Sequence, residues 1–299
     1  MNRFPPPSKC NCFVLRHAAR KLTQIYDHHL TDAGMTANQF TIIGKVASVT
    51  TATMGGVSEE LVMDRTTLLR ALKPLRREML ITIDTPGTDR RKHLLRLTER
   101  GQRLFNAACN GWCTAHAEFE DKYGAARATA LRNELFFLTG QKDHHESSKS
   151  HRVVHIHNNV TRVSLSSDNC FAVRQAARFV SQMYDRGLVD ANLTIDQYSI
   201  LSRVHDANEI TMRQLAEVTG ADRTTLVRGL QPLRIKGYLA NAHVSRPREP
   251  QLFTLTAAGR TKFRSAREYW LRTQEAFEHQ FGRSWAAMLR EELYAVAIA

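Results

Sequence analysis

Several features that define large classes of proteins are missing from this 299-residue chain. No apolar run approaches the roughly 20 residues that a bilayer-spanning helix needs, so we expect no membrane segment. The first seven residues lack the apolar core of a secretory leader, and we expect residues 1–10 to be a disordered arm. Five cysteines are an odd number without a paired framework, which favours reduced thiols in a cytoplasm.

Motifs of catalysis and cofactor binding are also missing. The sequence has no glycine-rich phosphate loop, no His-Glu-x-x-His metal motif and no nucleophile elbow. A histidine cluster has spacing that matches no closed metal site; its members are His144, His145, His151, His155 and His157. We therefore expect a protein that is not an enzyme and has neither a resident cofactor nor a metal centre.

Acidic residues are scarce relative to basic ones. The chain has 29 Asp and Glu against 42 Lys and Arg, a formal net charge of +13. A basic excess of this size favours a polyanionic partner, with nucleic acid preferred over an anionic membrane surface.

The most informative feature that is present is a duplication. Residues 11–141 (copy 1) align with residues 169–299 (copy 2) at a constant offset of 158 without a gap, and 46 of the 131 positions are identical. The repeat is too long for a solenoid, and each copy has the size of a whole domain. We predict like domains at 11–139 and 169–299, joined by a polar linker at 140–168.

Within each copy, the pattern predicts helices with one recognition-like member. Thr36 to Gln39 has the form of a capping box, which starts a helix. The short helix after it is expected to be weaker in copy 1, because it contains Gly55-Gly56 and each glycine costs a helix about 1 kcal/mol against alanine. Asp64 is a good N-cap for an amphipathic helix with a basic, hydroxyl-bearing outer face. Pro74 should kink that helix in its last turn.

After this helix, the sequence predicts a β-hairpin and two more helices. Residues 80–85 and 93–98 alternate as short strands around a basic tip, and Thr98 is placed to cap a long helix that reaches about Lys122. A last helix is expected from about Ala125 to Leu138. This order predicts a mainly α fold with small β-wings, in which tandem winged helix-turn-helix units form an intramolecular pseudo-dimer.

At this point the residues resemble the MarR family of bacterial transcription regulators. The resemblance rests on Leu193-Thr-Ile-Asp-Gln197, on the Asp-Arg-Thr-Thr-Leu stretches that begin at Asp64 and Asp222, on Asp89-Arg90-Arg91, and on Leu97-Thr98 with Gly101. Family members are normally homodimers of one-domain chains, so the fusion is a departure. The resemblance implies a cytoplasmic bacterial protein that binds double-stranded DNA as a single-chain pseudo-dimer, with further pairing between chains left open.

The resemblance also assigns DNA contacts. Recognition-helix residues that would meet the major groove or its phosphates are Arg65, Thr66, Thr67, Arg70, Lys73 and Arg76 in copy 1, and Arg223, Thr224, Thr225, Arg228 and Arg234 in copy 2. Wing residues are Arg90 and Arg91 in copy 1 and Arg246 and Arg248 in copy 2. Because Pro247 and Glu249 break the wing motif in copy 2, we expect unequal wings and an imperfect palindrome as the operator.

Two modes of sensing stay open. Cys12-Phe13 and Cys170-Phe171 resemble the organic-hydroperoxide sensors of the family, in which a first-helix thiol pairs with a thiol of the long helix; Cys109 and Cys113 are the candidates for that partner. Alternatively, a small aromatic ligand binds a pocket between the dimer helices and the winged domain. Its expected lining is Arg16, His17 and Tyr26 in copy 1 and their counterparts Arg174, Gln175 and Tyr184 in copy 2.

The leading interpretation is a sequence-specific regulator that acts as a repressor and is released by a ligand or by an oxidant. The alternative is an architectural DNA-binding protein of low specificity. A large ratio of affinities for operator and random DNA would separate the two.

Overall fold

The computed structural model describes residues 10–85, 93–140, 165–241 and 251–298. Copy 1 forms α1 (Asn11–Leu30), α2 (Ala37–Ser48), β1 (Ala52–Thr53), α3 (Met54–Glu60), α4 (Arg65–Arg77), β2 (Ile81–Asp84), β3 (Leu94–Leu97), α5 (Glu99–Tyr123) and α6 (Ala125–Leu138). Copy 2 repeats the order with α7 (Asn169–Gly187), α8 (Ile195–Ala207), β4 (Glu209–Thr211), α9 (Met212–Thr219), α10 (Arg223–Ile235), β5 (Leu239–Asn241), β6 (Leu252–Leu255), α11 (Ala257–Phe281) and α12 (Arg283–Ile298). The predicted fold class, mainly α with small β-wings, is confirmed.

The chain divides into two compact units that differ from the two sequence copies. The copy-1 unit is Leu22–Arg178, so it includes the first half of α7. The copy-2 unit combines the stretch up to Lys21, with the first half of α1, and Phe179–Ile298. Each winged domain is therefore completed by a half-helix that comes from the other copy in sequence.

Each unit contains a three-stranded antiparallel sheet. The strand order is β1-β3-β2 in the copy-1 unit, where Ile81 pairs with Leu97 and Ala52 with Leu95. The copy-2 unit has the order β4-β6-β5, with Leu239 opposite Leu255 and Ile210 opposite Phe253. The hairpin strands were predicted, whereas the sequence pattern missed β1 and β4, which are too short for a period-2 signal.

Side-chain caps begin the helices where the sequence predicted them. Thr36 accepts from the backbone N–H of Gln39 at 3.2 Å, and the Gln39 side chain accepts from the Thr36 N–H at 2.8 Å, which completes the capping box. The glycine-rich helix α3 does form, because Thr53 caps it through the N–H of Gly56 at 3.0 Å. Pro74 does not end α4, which continues to Arg77.

One glycine in each unit fixes the distance between the recognition helix and the long helix. A Cβ at Gly101 would lie 2.1 Å from the Leu80 carbonyl oxygen, and a Cβ at Gly259 would lie 2.0 Å from that of Tyr238. Both distances are far below van der Waals contact, so only glycine allows the long helix to begin against the end of the preceding segment.

The cores of both units are apolar and aromatic. Phe40, Phe105 and Trp112 pack together in the copy-1 unit, and Tyr198, Phe263 and Trp270 occupy the equivalent positions in the copy-2 unit. None of the helices in the described ranges is both long and apolar enough to cross a membrane.

Candidate nucleic-acid interface

Helices α4 and α10 each bury one face and expose the other. Leu68, Leu72 and Leu75 are buried in α4, and Leu226, Leu230 and Leu233 repeat this in α10. All eleven predicted recognition-helix contacts are exposed; they are Arg65, Thr66, Thr67, Arg70, Lys73 and Arg76 in α4, and Arg223, Thr224, Thr225, Arg228 and Arg234 in α10. The result is a basic, hydroxyl-bearing helix surface in each unit.

An aspartate holds the first turn of each recognition helix. The Thr67 N–H donates to Asp64 Oδ1 at 2.9 Å, and the Thr225 N–H donates to Asp222 Oδ1 at 2.9 Å. Both threonine hydroxyls donate to the second carboxylate oxygen of the same aspartate. These bonds hold the pKa of Asp64 and Asp222 below the usual range. They also leave Thr67 and Thr225 with acceptor lone pairs alone for any DNA contact.

A further exposed residue was missed on the same surface. Leu69 in α4 is 40% exposed, and Val227 at the equivalent place in α10 is 46% exposed. Both lie between the basic side chains, where an apolar group can contact a thymine methyl. The sequence did offer a signal, because Leu69 is an apolar residue that lies outside the buried stripe of Leu68, Leu72 and Leu75.

Half-buried arginines connect the half-helix of each unit to the helix-turn-helix. Arg20 donates to the carbonyl of Thr219, the last residue of α9. Its equivalent Arg178 donates to the Leu61 carbonyl at 2.8 Å. Burial is the largest cause that lowers the pKa of Arg20 to about 10 and that of Arg178 to about 9. The two acceptor carbonyls lie just before the recognition helices. The presence of arginine at this position in both copies was the signal that sequence reasoning passed over.

The turns that follow these carbonyls differ between the units. Gly220 takes the left-handed conformation with φ of 62° in the copy-2 unit, while Val62 takes it with φ of 49° in the copy-1 unit. A β-branched residue there is strained, so the copy-1 unit keeps the same turn at a higher conformational cost.

The predicted wing contacts Arg90, Arg91, Arg246 and Arg248 lie outside the described residues, as do the linker histidines. Within the described ranges, no group of three or more His, Cys, Asp or Glu could hold a metal ion.

The candidate sensor thiols all have a pKa above the ordinary value. Cys12 and Cys170 are buried, and burial raises the pKa of each thiol to about 12 despite the nearby charges of Arg16 and Arg174. Burial also raises the pKa of Cys109 to about 12, and it raises the pKa of the half-buried Cys113. Because the thiolate is the reactive form, this environment disfavours rapid oxidation.

Position in the fold separates the thiols. Cys170, Cys109 and Cys113 belong to the copy-1 unit, whereas Cys12 belongs to the copy-2 unit, where its Sγ lies 3.7 Å from Ser181 Oγ. Cys10, which sequence reasoning missed, accepts from Trp270 Nε1 at 3.4 Å. Asp168 stands at the equivalent position before copy 2, and this difference between the two sequences could have identified Cys10.

The six predicted pocket residues are divided between the two units. Arg16, His17 and Tyr184 belong to the copy-2 unit, whereas Tyr26, Arg174 and Gln175 belong to the copy-1 unit. Both tyrosines are fully buried. The Tyr26 hydroxyl lies 3.2 Å from His116 Nδ1, and the Tyr184 hydroxyl donates to Gln274. Of the six, Arg16 alone borders either of the two cavities described below.

The first cavity, named the Trp270 cavity, lies inside the copy-2 unit and measures about 210 Å³. Aromatic rings from Phe13, Tyr198, Phe263 and Trp270 line it, together with three arginines and one carboxylate, Arg16, Arg203, Arg267 and Asp206. The guanidinium of Arg203 stands 4.3 Å from the centre of the Phe13 ring. Such a lining combines flat apolar walls with cationic groups, which suits a small aromatic anion.

The second cavity, named the α10 cavity, also lies inside the copy-2 unit and measures about 300 Å³. Its wall mixes polar and apolar groups. The polar ones include Arg16, Arg20, Arg228, Thr194, Ser199, Thr219 and Thr225, and the apolar ones include Ile200, Ala221 and Leu226. Arg16 and Asp196 form an ion pair at its edge, and Arg20 lies 3.8 Å from the same carboxylate.

Neither a protein-family model nor a curated protein sequence matches the chain. Solved structures do match. The M. tuberculosis transcriptional regulator MosR, solved in complex with DNA, is 32% identical over 42% of this chain and 96% of its own, with a TM-score of 0.36. The transcriptional repressor CouR, bound to a 23-mer DNA duplex, is 22% identical over 44% of this chain and 94% of its own, with a TM-score of 0.41.

A MarR-family regulator from Rhodococcus sp. RHA1 is 21% identical over 45% of this chain and 95% of its own, with a TM-score of 0.40. Each match covers less than half of this chain. The identity with MosR extends over nearly all of that protein, and both units described above carry the complete winged helix-turn-helix order. The chain belongs to the MarR family of transcriptional regulators.

Proposed function

We propose that this protein is a sequence-specific double-stranded DNA-binding regulator that acts as a repressor. The observation that carries the proposal is the pair of capped, basic recognition helices: Asp64 and Asp222 fix the first turns, and the outer faces present arginine and threonine to solvent. Arginine reads guanine and threonine contacts base edges or phosphates. The solved complexes of MosR and CouR with DNA support the assignment.

The operator is an imperfect palindrome in this proposal. The two helices share Arg70 and Arg228 at one position, but Lys73 is replaced by Gln231 and Leu69 by Val227. A lost cation weakens contact with phosphate, and a smaller apolar side chain reaches a thymine methyl less well. The half-site read by α4 is therefore bound more tightly and with steeper salt dependence than the half-site read by α10.

The experiment that tests this function is selection of a binding sequence from a random duplex pool, followed by titration of the winning duplex and of random DNA at fixed salt. A specificity ratio of about a thousandfold or more is expected. A ratio near one would support the architectural alternative instead.

We also propose that a small aromatic anion releases the protein from DNA, with the Trp270 cavity as its site. The rings of Tyr198 and Trp270 supply stacking, and Arg267 supplies charge. Release by thiol oxidation is the second mode, and the raised pKa of Cys12 and Cys170 counts against it. Release of the bound duplex by cinnamate but not by cumene hydroperoxide, in wild type and in Cys170→Ser, is the expected result.

A single chain is the functional pseudo-dimer in this proposal. Exchange of half-helices between the copies supports it, because each compact unit needs residues from both. Sedimentation of the protein with its duplex should give one chain per operator. Two chains per operator would show that the fused chain pairs again.

A further inference from the structure

Each of the two exchanged half-helices lies on a surface that the other copy supplies. Residues 10–21, named half-helix 1, belong to the copy-2 unit, and residues 168–178, named half-helix 2, belong to the copy-1 unit. Some of their contacts are the same. Asn11 donates to a backbone carbonyl of α12 at 2.8 Å, and its equivalent Asn169 donates to one of α6 at 2.7 Å. Contacts of this kind suit either half-helix, so a preference for one partner must come from positions at which the copies differ.

The first difference is steric and lies at the turn before the recognition helix. Gly220 makes this turn in the copy-2 unit, and a Cβ there would lie 2.7 Å from Cδ2 of the His17 ring. The His17 ring also packs edge-to-face on Phe13, with the ring centres 5.9 Å apart. The ring therefore fits against this turn because residue 220 has no side chain.

The copy-1 unit has a different pair of residues at this place. At the offset of 158, Val62 stands for Gly220 and Gln175 stands for His17. Gln175 is fully buried, and its Nε2 donates at 2.6 Å to the carbonyl of Glu60, two residues before Val62. If half-helix 1 were placed on this turn in the same way, the rigid ring of His17 would meet the side chain of Val62.

The second difference is electrostatic and lies where each half-helix begins. Trp270 Nε1 donates to Cys10 Sγ at 3.4 Å in the copy-2 unit, and Trp112 Nε1 donates to Asp168 Oδ2 at 3.0 Å in the copy-1 unit. Cys10 and Asp168 are equivalent residues, and both are buried. A buried carboxylate needs a nearby donor or cation far more than a buried thiol does.

The residue one helical turn after each tryptophan matches this difference. His116 stacks on Trp112, with the ring centres 5.1 Å apart. Burial raises the pKa of the Asp168 carboxyl, and the hydrogen bond from Trp112 and the nearby charge of His116 act against that rise. Gln274 stands for His116 in copy 2, and its Nε2 already donates to Asn11 Oδ1 at 3.0 Å. Half-helix 2 on the copy-2 unit would therefore bury its carboxylate beside a neutral amide in place of an imidazole.

We propose that half-helix 1 and half-helix 2 are selective pairing surfaces, each of which fits the other copy and rejects its own. The ring of His17 selects glycine over valine at the turn, and the carboxylate of Asp168 selects histidine over glutamine on the long helix. Copy 1 therefore pairs with copy 2, and a second chain cannot join through pairs of like copies. This rule rests on the pairing of copies in the proposed function, and it does not depend on what the protein binds.

A double-mutant cycle on the full chain tests the steric contact. Gly220→Val imports the copy-1 turn, and His17→Gln imports the copy-1 side chain. Gly237→Val is the matched control, because Gly237 has a similar left-handed φ, 68° against 62°, and a Cβ there has nothing within 4 Å. In urea unfolding, Gly220→Val should lose more stability than Gly237→Val, and His17→Gln should remove the excess, which we expect to be about tenfold in the unfolding equilibrium constant. Additive losses in the double variant would refute the selection by His17.

An exchange of side chains between the half-helices tests the pairing rule itself. The exchange variant carries Cys10→Asp, Asp168→Cys, His17→Gln and Gln175→His, so that each half-helix matches its own copy. Sedimentation of wild type without DNA should give one chain per particle. The exchange variant should give two or more, because like copies can pair only between chains. An exchange variant with one chain per particle would overturn the proposal, whatever its stability.

A compensated variant guards against simple misfolding. It adds Val62→Gly, Gly220→Val, His116→Gln and Gln274→His to the exchange variant, so that every selective contact is present again with the copies reversed. It should return to one chain per particle and regain most of the lost stability. The same recovery supports the rule if the exchange variant does not fold at all. Failure to recover would mean that the exchanged residues disturb the fold without selecting a partner, and it would refute the rule.

The outcomes separate this rule from the proposed function. If wild type prefers no duplex sequence, the regulatory function fails, while sedimentation without DNA still decides the pairing. If wild type sediments as two chains before any substitution, the single-chain pseudo-dimer fails. Coupling between His17 and Gly220 would then still support selective half-helices, and additivity there would refute them.

Discussion

The aspartate caps of the recognition helices allow the clearest prediction about DNA binding. At Asp64 the carboxylate has two roles: it accepts hydrogen bonds from Thr67, and it places a negative charge beside the surface proposed to contact phosphates. Asp64→Ala removes both roles, whereas Asp64→Asn keeps the capping acceptor and removes the charge. The two substitutions therefore separate helix order from electrostatic repulsion, and Asp222 offers the same pair in α10.

The structure sets the size of each effect. Replacement of an N-cap aspartate by alanine costs a helix about 0.5–2 kcal/mol, whereas asparagine caps about as well as aspartate. If the first turn of α4 must be ordered when DNA binds, the lost cap weakens DNA binding by about fivefold for each 1 kcal/mol. Removal of the charge acts in the opposite direction, because one fewer repulsion with phosphates remains.

We expect Asp64→Asn to bind the operator as tightly as wild type or more tightly, and Asp64→Ala to bind it about fivefold less tightly than Asp64→Asn. Fluorescence anisotropy with a labelled operator at two salt concentrations measures both, and urea unfolding reports the loss of stability. Equal affinities of the alanine and asparagine variants, with a measurable difference in stability, would show that the first turn of α4 does not position the DNA contacts.

Four further predictions concern Asp64, Cys12, Leu69 and Gly101. Because hydrogen bonds depress the pKa of Asp64 in the folded protein, its stabilising effect is complete above the ordinary pKa of 3.8 and is lost as pH falls through the lower folded value; the pH dependence of unfolding should flatten below about pH 4 in Asp64→Asn, and an unchanged profile would contradict it. Buried Cys12 should react with iodoacetamide more slowly than half-buried Cys113 at pH 7.5, as peptide mass spectrometry can show; rapid labelling of Cys12 would restore the oxidation mechanism. Leu69→Ala should weaken operator binding by about 1 kcal/mol, leave random-DNA binding and stability unchanged, and have a larger effect than Val227→Ala. Gly101→Ala should destabilise the fold by about 1–3 kcal/mol, since its Cβ would lie 2.1 Å from a carbonyl oxygen; a wild-type melting temperature would refute the close approach.

Much of each winged domain could be predicted because its signals are local. The Thr36–Gln39 capping box, the Asp64 cap and the spacing of Leu68, Leu72 and Leu75 each act within one or two helical turns. The long helix α5 begins after its predicted cap, Thr98, which accepts from the Gly101 N–H at 2.9 Å. Local hydrogen bonds of this kind depend little on the rest of the chain, so they can be read from sequence.

The candidate site was less predictable, because its geometry depends on contacts between distant segments. Arg16 lines both cavities of the copy-2 unit, whereas the hydroxyls of Tyr26 and Tyr184 meet protein groups inside their own units. Periodicity shows that a tyrosine faces inwards without showing whether its hydroxyl meets a protein group or a cavity. Burial likewise decides the protonation of Cys170, and the Cys-Phe pattern carries no measure of it.

The exchange of half-helices has a different reason for escaping prediction. Residues 11–21 and 169–178 have nearly the same pattern, with Arg16 and Arg20 repeated as Arg174 and Arg178. Either half-helix can make the same hydrogen bond from its arginine to the end of the helix before the recognition helix, as both do. Apolar burial is not directional, so the pattern alone leaves open which copy supplies the half-helix.

Sequence can decide where the copies diverge, and they diverge at Asp196 and Asn38 beside those arginines. Exchanging these two residues, Asp196→Asn with Asn38→Asp, should therefore shift the buried-charge balance between the units without altering their helices. Urea unfolding should then show the copy-1 unit more stable at neutral pH than at pH 3, because the new carboxylate would be ionised beside Arg174 and Arg178; an unchanged pH profile would mean that these arginines are already satisfied by their neutral partners.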